Sequence, residues 1–139
     1  MTEAQQNAEK YLLKIRDANR HIQDMIYKIE YLRYKASGTG AIRYDKDHVQ
    51  TSPEDMVCEA IAEAISIENK LYHYHNRILE MRENVQGIIG LWNNNNARFI
   101  DIYYLSRGSM GEVADKIGCS SRNAYFIKLK ALEEFSKYI

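Results

Sequence analysis

The first 35 residues carry apolar side chains at alternating steps of three and four, with no glycine or proline among them. The positions are Ala8, Tyr11, Leu12, Ile15, Ala18, Ile22, Met25, Ile26, Ile29 and Leu32. This spacing predicts one long helix with a single apolar stripe. A helix of this kind is not stable alone in water, so the chain must fold by packing helices against each other.

A second stretch, from about residue 53 to 91, repeats the pattern. Its apolar positions are Val57, Ala60, Ile61, Ala64, Ile67, Leu71, Tyr74, Ile78, Met81, Val85 and Ile88. Ser52 is a suitable N-cap, and Pro53, the one proline of the chain, suits the first helical position. Residues 1–92 are therefore predicted to form a hairpin of two coiled-coil-like helices, joined by a loop at about residues 36–52.

The composition limits the kinds of partner that the chain can bind and the cellular compartment in which we expect it. The chain has 19 Lys and Arg against 19 Asp and Glu, so bulk positive charge cannot bind nucleic acid and only a local patch can. No apolar run is long enough for a membrane span, and the N-terminus does not resemble a secretory signal. Cys58 and Cys119 make no disulfide framework. We expect a cytoplasmic protein with no membrane partner. The apolar stripes of the two long helices, with their Tyr and Met side chains, are wider than one hairpin can bury, which predicts a homodimer.

Residues 93–139 differ in pattern and predict a separate module of three short helices. A run of four asparagines ends in Asn96, a candidate N-cap, and a helix over residues 97–107 is expected to close at Gly108. Ser109 and Glu112 have the spacing of a capping box for the second helix. Because the three helices are expected to complete a core of their own and each has its own cap, this module is predicted to fold alone.

The second and third helices have the layout of a helix-turn-helix. Val113, Ala114 and Ile117 are predicted to face inward, and Gly118 to end the second helix in a left-handed conformation. Ser120 is expected to cap the third helix, whose inner stripe is Ala124, Ile127, Ala131 and Leu132.

The outer face of the third helix is predicted to bind double-stranded DNA. Residues 120–132 contain three basic side chains and no acidic one. Arg and Asn can read base edges, while Ser and Lys suit phosphates. The candidate DNA-binding residues are Ser109, Ser120, Ser121, Arg122, Asn123, Tyr125, Phe126, Lys128 and Lys130. The alternative is a three-helix bundle that binds nothing charged, with Tyr125 and Phe126 contacting the first long helix or a partner.

These motifs support a resemblance to known regulators. Residues 112–120, followed by Lys130-Ala131-Leu132, resemble the helix-turn-helix of sigma factor region 4, and residues 102–105 resemble the helix that precedes it there. Over the whole chain the layout is similar to small phage proteins of the RinA/ArpU type, and residues 49–53 look like a feature of that group. The resemblance implies a transcriptional regulator, expected to activate phage or prophage late genes, that contacts promoter DNA, host RNA polymerase, or both.

Other function classes are less well supported. His73 and His75 lie two apart on a helix and face away from each other, so they cannot share one metal ion. No phosphate-binding loop is present, and we expect neither an enzyme nor a cofactor. Two rivals remain open: an adaptor that binds RNA polymerase or another phage protein, and a small terminase-like DNA-packaging protein.

Overall fold

The computed structural model describes residues 1–37 and 53–139, and every element in these ranges is helical. Two long helices, α1 (Glu3–Ala36) and α2 (Pro53–Ile89), are followed by shorter ones. These are α3 (Asn95–Phe99), which continues as a π-helix (Ile100–Leu105), then α4 (Met110–Ile117) and α5 (Ser121–Ser136). The predicted all-α class is confirmed. The predicted cap at Ser52 and most of the predicted loop lie outside the described residues.

None of the helices in the described ranges combines the length and the apolar character needed to cross a membrane.

The apolar stripes of the two long helices are buried largely as predicted. Buried positions are Ala8, Leu12, Ile15, Ala18, Ile29 and Leu32 on α1, and Ala64, Ile67, Ile78 and Val85 on α2. Ile61 is an exception: the periodicity predicts it in the stripe, yet 39% of its surface is exposed. It lies one position beyond Ala60, which turns it about 100° away from the stripe.

The described chain divides into two compact units. One contains residues 1–19 and 77–139, and the other contains residues 20–76. The sequence-based boundary between residues 92 and 93 stays a prediction.

The unit of residues 20–76 contains two helical segments and a small core. Four side chains are buried in it, Ile29 and Leu32 from α1 and Ala64 and Ile67 from α2. Arg33 forms a hydrogen-bonded ion pair with Glu68 at the edge of this core, and the His21 and Tyr74 rings lie 5.3 Å apart. A core of this size stabilises two helices only weakly on its own.

The unit of residues 1–19 and 77–139 has one core to which both long helices contribute. Ala8, Leu12 and Ile15 of α1, with Val85 and Ile89 of α2, pack against the buried side chains of the short helices. Those are Phe99, Ile100, Ile102, Tyr104, Leu105, Val113, Ala114, Ala124, Ala131, Leu132 and Phe135. The predicted self-contained core for residues 93–139 is therefore wrong, because the short helices complete their core with residues from α1 and α2.

Two arginines from the long helices bind the backbone at the end of the π-helix. Arg16 donates hydrogen bonds to the carbonyls of Tyr103 and Gly108, the latter at 2.9 Å, and its guanidinium lies 4.1 Å from the centre of the Tyr103 ring. Arg82 donates to the carbonyl of Leu105 at 2.8 Å. The last carbonyls of a helix lack partners within it, so these side chains satisfy them.

Two of the predicted helix ends differ in the structure. The cap of α3 is Asn94, whose side chain accepts from the amide of Ala97, while Asn96 donates to the Glu134 carboxylate at 2.7 Å. The helix predicted over residues 97–107 is α-helical only to Phe99 and then widens into the π-helix. The left-handed residue after it is Arg107, at φ 56°, and not Gly108.

Gly108 is required for close packing. A Cβ there would lie 2.9 Å from Ile102 Cγ2, 3.0 Å from the Ile102 carbonyl oxygen and 3.1 Å from the Glu112 carboxylate. Since a backbone atom cannot easily move away, we expect Gly108→Ala to lower the free energy of unfolding by about 1–3 kcal/mol. Urea unfolding followed by circular dichroism measures this.

Gly111→Ala is the matched control. A Cβ at Gly111, in the first turn of α4, meets only Ser109 Oγ at 3.8 Å. Alanine favours a helix over glycine, so this change should be neutral or stabilising by up to about 1 kcal/mol. Equal effects of the two substitutions would contradict the packing role of Gly108.

Candidate nucleic-acid interface

The helix-turn-helix predicted in the C-terminal region has the local geometry expected from its sequence. Ser109 caps α4 by accepting from the amide of Glu112, and Ser120 caps α5 by accepting from the amide of Asn123. Between the helices, Gly118 adopts φ 82°, and its amide donates to the carbonyl of Ala114 at 2.8 Å. This left-handed glycine ends α4 and redirects the chain into α5.

The inner faces of α4 and α5 pack as predicted. Val113, Ala114, Ala124, Ala131 and Leu132 are buried, and Ile117 and Ile127 are half-buried against the same core. Small side chains at Ala114 and Ala124 occupy buried positions, one on each helix.

The outward face of α5 exposes most of the predicted DNA-binding residues. Ser121, Arg122, Asn123 and Lys130 are exposed, and Tyr125 and Phe126 keep 47% and 48% of their surface accessible. Arg122, Phe126 and Lys130 follow each other at steps of four and therefore share one side of the helix. The acid-free stretch ends at Glu133, which is also exposed.

Lys128 does not lie on this outward face, and that part of the sequence prediction is wrong. Its ammonium forms an ion pair with Glu9 of α1 at 2.8 Å, and its side chain is only 14% exposed. It also lies within 6 Å of the centres of the Tyr103 and Tyr125 rings, at 5.9 and 5.8 Å. The outward face thus has two exposed cations, Arg122 and Lys130.

Glu9 also accepts a hydrogen bond from the buried Tyr104 hydroxyl, at 3.1 Å. Two effects raise the pKa of Tyr104 far above its ordinary value: burial, which is the larger, and the negative charge of the adjacent Glu9 carboxylate. The phenol therefore stays protonated and keeps donating to Glu9. Glu9, Tyr104 and Lys128 form one polar cluster that joins α1, the π-helix and α5.

Ser109 and Ser120 stand at the N-termini of α4 and α5, with both side chains exposed. Their oxygens already accept from backbone amides, but a serine hydroxyl retains a proton that can be donated to a phosphate. Both predicted residues are therefore placed where an anion would meet the positive end of a helix.

Sequence reasoning missed the residues of α1 that hold α5 in place. Besides Glu9, Gln5 donates from its side-chain amide to the carbonyl of Leu129 at 3.1 Å, and the rings of Tyr11 and Phe135 lie 5.8 Å apart. Glu9 follows Ala8, a member of the apolar stripe. Its side chain therefore lies at the edge of the core, where it can contact another helix. Nothing local in the sequence pairs it with a lysine near the other end of the chain.

The structure offers no metal site in the part of the chain that it describes, where no three His, Cys, Asp or Glu side chains come together. His73 and His75, whose spacing on the helix prevents them from sharing one metal ion, are both exposed.

No protein-family model, no curated protein and no solved structure matches this chain.

Proposed function

We propose that the chain binds double-stranded DNA through the outward face of α5 and regulates transcription of phage or prophage late genes. The observation that carries the proposal is this face itself: exposed Arg122 and Asn123 in the first turn, exposed Lys130 two turns later, and no acid between. It belongs to a helix that follows a left-handed turn glycine, as in helix-turn-helix proteins that place such a helix in the major groove.

The proposed contacts divide by chemistry. Arg122 and Asn123 read base edges, because a guanidinium can bind guanine and a side-chain amide can bind adenine. Ser121, Lys130 and the two cap serines bind phosphates, which sets the position of the helix. Lys128 is left out, because Glu9 already neutralises it.

The proposed molecule is a homodimer in the cytoplasm of a bacterial host. A single helix-turn-helix reads few base pairs, and two copies linked in a dimer bind far more tightly to two half-sites. Host RNA polymerase is the second proposed partner, through the resemblance to sigma factor region 4.

The adaptor is the second candidate function. The observation that favours it is the pair Tyr125 and Phe126, whose half-exposed rings lie 6.5 Å apart. Aromatic side chains are enriched at protein interfaces. A terminase-like packaging role is less well supported, since in such proteins the DNA-binding end is usually N-terminal.

Selection of bound duplexes from a random pool, followed by anisotropy titrations, tests the proposal. We expect Arg122→Ala to weaken binding of the selected duplex by about 1–3 kcal/mol and to relax preference at one base pair. Lys130→Ala should weaken binding to all duplexes alike and reduce the salt dependence by about one unit of slope.

Lys70→Ala is the control, because it removes the same charge from an exposed position of α2. It should leave both affinity and salt slope unchanged. If no duplex is enriched, or if Lys70→Ala and Arg122→Ala behave alike, α5 is not a DNA-reading helix and the adaptor becomes the better proposal.

A further inference from the structure

Helix α2 carries a second apolar stripe that is not part of the core. Its members, called here the outer stripe, are Cys58, Ile61, Ile65 and Tyr72. Cys58 is exposed, and Ile61, Ile65 and Tyr72 keep 39%, 47% and 65% of their surface accessible.

The outer stripe has its own helical register. Its residues follow at steps of three, four and seven, the spacing of positions a and d in a coiled coil. On the helix it lies roughly 120° away from the buried side chains of Ala64 and Ile67, at about 100° per residue. Within residues 53–76, α2 therefore has two apolar sides. The side with Ala64 and Ile67 packs against α1, and the outer stripe is exposed.

We propose that a second copy of this chain covers the outer stripe, so that α2 pairs with α2 of the other copy. This deepens the proposed homodimer and rests on it, but it does not depend on DNA binding. The driving force for this pairing is the burial of apolar surface. The core of residues 20–76 has only four buried side chains, so its two helices gain stability when the outer stripe is also buried.

The surroundings of the outer stripe fit a copy of itself better than a charged partner. In a two-fold interface the residues near the symmetry axis meet their own copies, so an unpaired charge there would face a like charge. Beside Ile61, Ile65 and Tyr72 the flanking positions Ala62, Asn69 and Asn76 are uncharged. The exposed Glu54 lies beyond Cys58, at the N-terminal end of the stripe. Glu68, at the stripe position between Ile65 and Tyr72, is already paired with Arg33.

Sedimentation equilibrium of the full chain tests this interface. We expect wild type to be dimeric at tens of micromolar and Ile65→Glu to raise the dissociation constant by about a hundredfold, tenfold for each copy. Ile65→Ala, which adds no charge, should raise it by about tenfold. Circular dichroism establishes that each variant keeps the wild-type helix content.

Tyr27→Glu is the matched control, because Tyr27 is 66% exposed on α1 and lies outside the outer stripe. The dimer dissociation constant of Tyr27→Glu should stay within about threefold of the wild-type value, which is smaller than the tenfold change that corresponds to about 1.4 kcal/mol. A folded wild type that is monomeric overturns both the homodimer and this interface. A dimer that survives both Ile65 substitutions, or that Tyr27→Glu dissociates instead, overturns the interface alone. DNA binding is scored separately, so neither result decides the role of α5.

Discussion

A fragment of residues 93–139 should be unfolded in isolation, although it carries all three short helices and their caps. The long helices contribute Leu12, Ile15, Val85 and Ile89 to the core in which these short helices pack. Burying a large aliphatic side chain contributes about 1.5–3 kcal/mol, so these four together contribute roughly 6–12 kcal/mol. That equals the whole stability of a typical small domain. Circular dichroism and thermal unfolding of the fragment measure the effect.

The control is a chain in which a short flexible linker replaces residues 20–76. It keeps residues 1–19 and 77–139, and thus every side chain of that core. Tyr11 and Asn84 lie within hydrogen-bond distance at 3.3 Å, so the two retained helical segments run side by side. This chain should unfold cooperatively. A fragment of residues 93–139 that unfolds at the same temperature as the linked chain would contradict the shared core.

Glu9→Gln should destabilise the protein by roughly 3 kcal/mol, because it leaves the Lys128 ammonium without its carboxylate. Both side chains of this pair are about 15% exposed, so water can compensate only in part. Lys128→Met should have a similar cost, since it leaves the largely buried Glu9 carboxylate without the ammonium that pairs with it. Urea unfolding at neutral pH measures both.

The double variant Glu9→Gln with Lys128→Met tests whether the two side chains act as a pair. We expect it to be more stable than the sum of the single effects predicts, because neither charge is then left unpaired. Lys130→Ala, on the exposed face, should change stability by less than about 0.5 kcal/mol. Single variants of Glu9 and Lys128 with effects that small would show that the pair behaves like a surface ion pair.

Local signals in the sequence predicted the parts of the fold that depend on neighbouring residues. Ser109, Ser120 and Gly118 act through bonds to amides or carbonyls a few residues away, and their roles are confirmed. The stripe of α1 follows from helical periodicity alone, which is why Leu12 and Ile15 were placed in the core correctly.

Features that depend on contacts between distant residues were not predictable in the same way. The π-helix of Ile100–Leu105 has no distinct residue pattern, and its end is satisfied by Arg16 and Arg82 from helices far away in the sequence. The sequence predicts Lys128 on the outer face because it is basic and lies outside the inner stripe of Ala124, Ile127, Ala131 and Leu132. Only the contact with Glu9 of α1 shows that the Lys128 ammonium is turned inward.

Site-directed cleavage of bound DNA tests the central claim that the outward face of α5 lies in the groove. In a variant with Cys58→Ser and Cys119→Ser, an iron chelate that generates hydroxyl radicals is attached through Asn123→Cys, or through Lys70→Cys as the control. We predict cuts centred on the half-sites of the selected duplex from position 123, and none from position 70. Equal cutting from both positions, or cutting from position 70 alone, would contradict the claim.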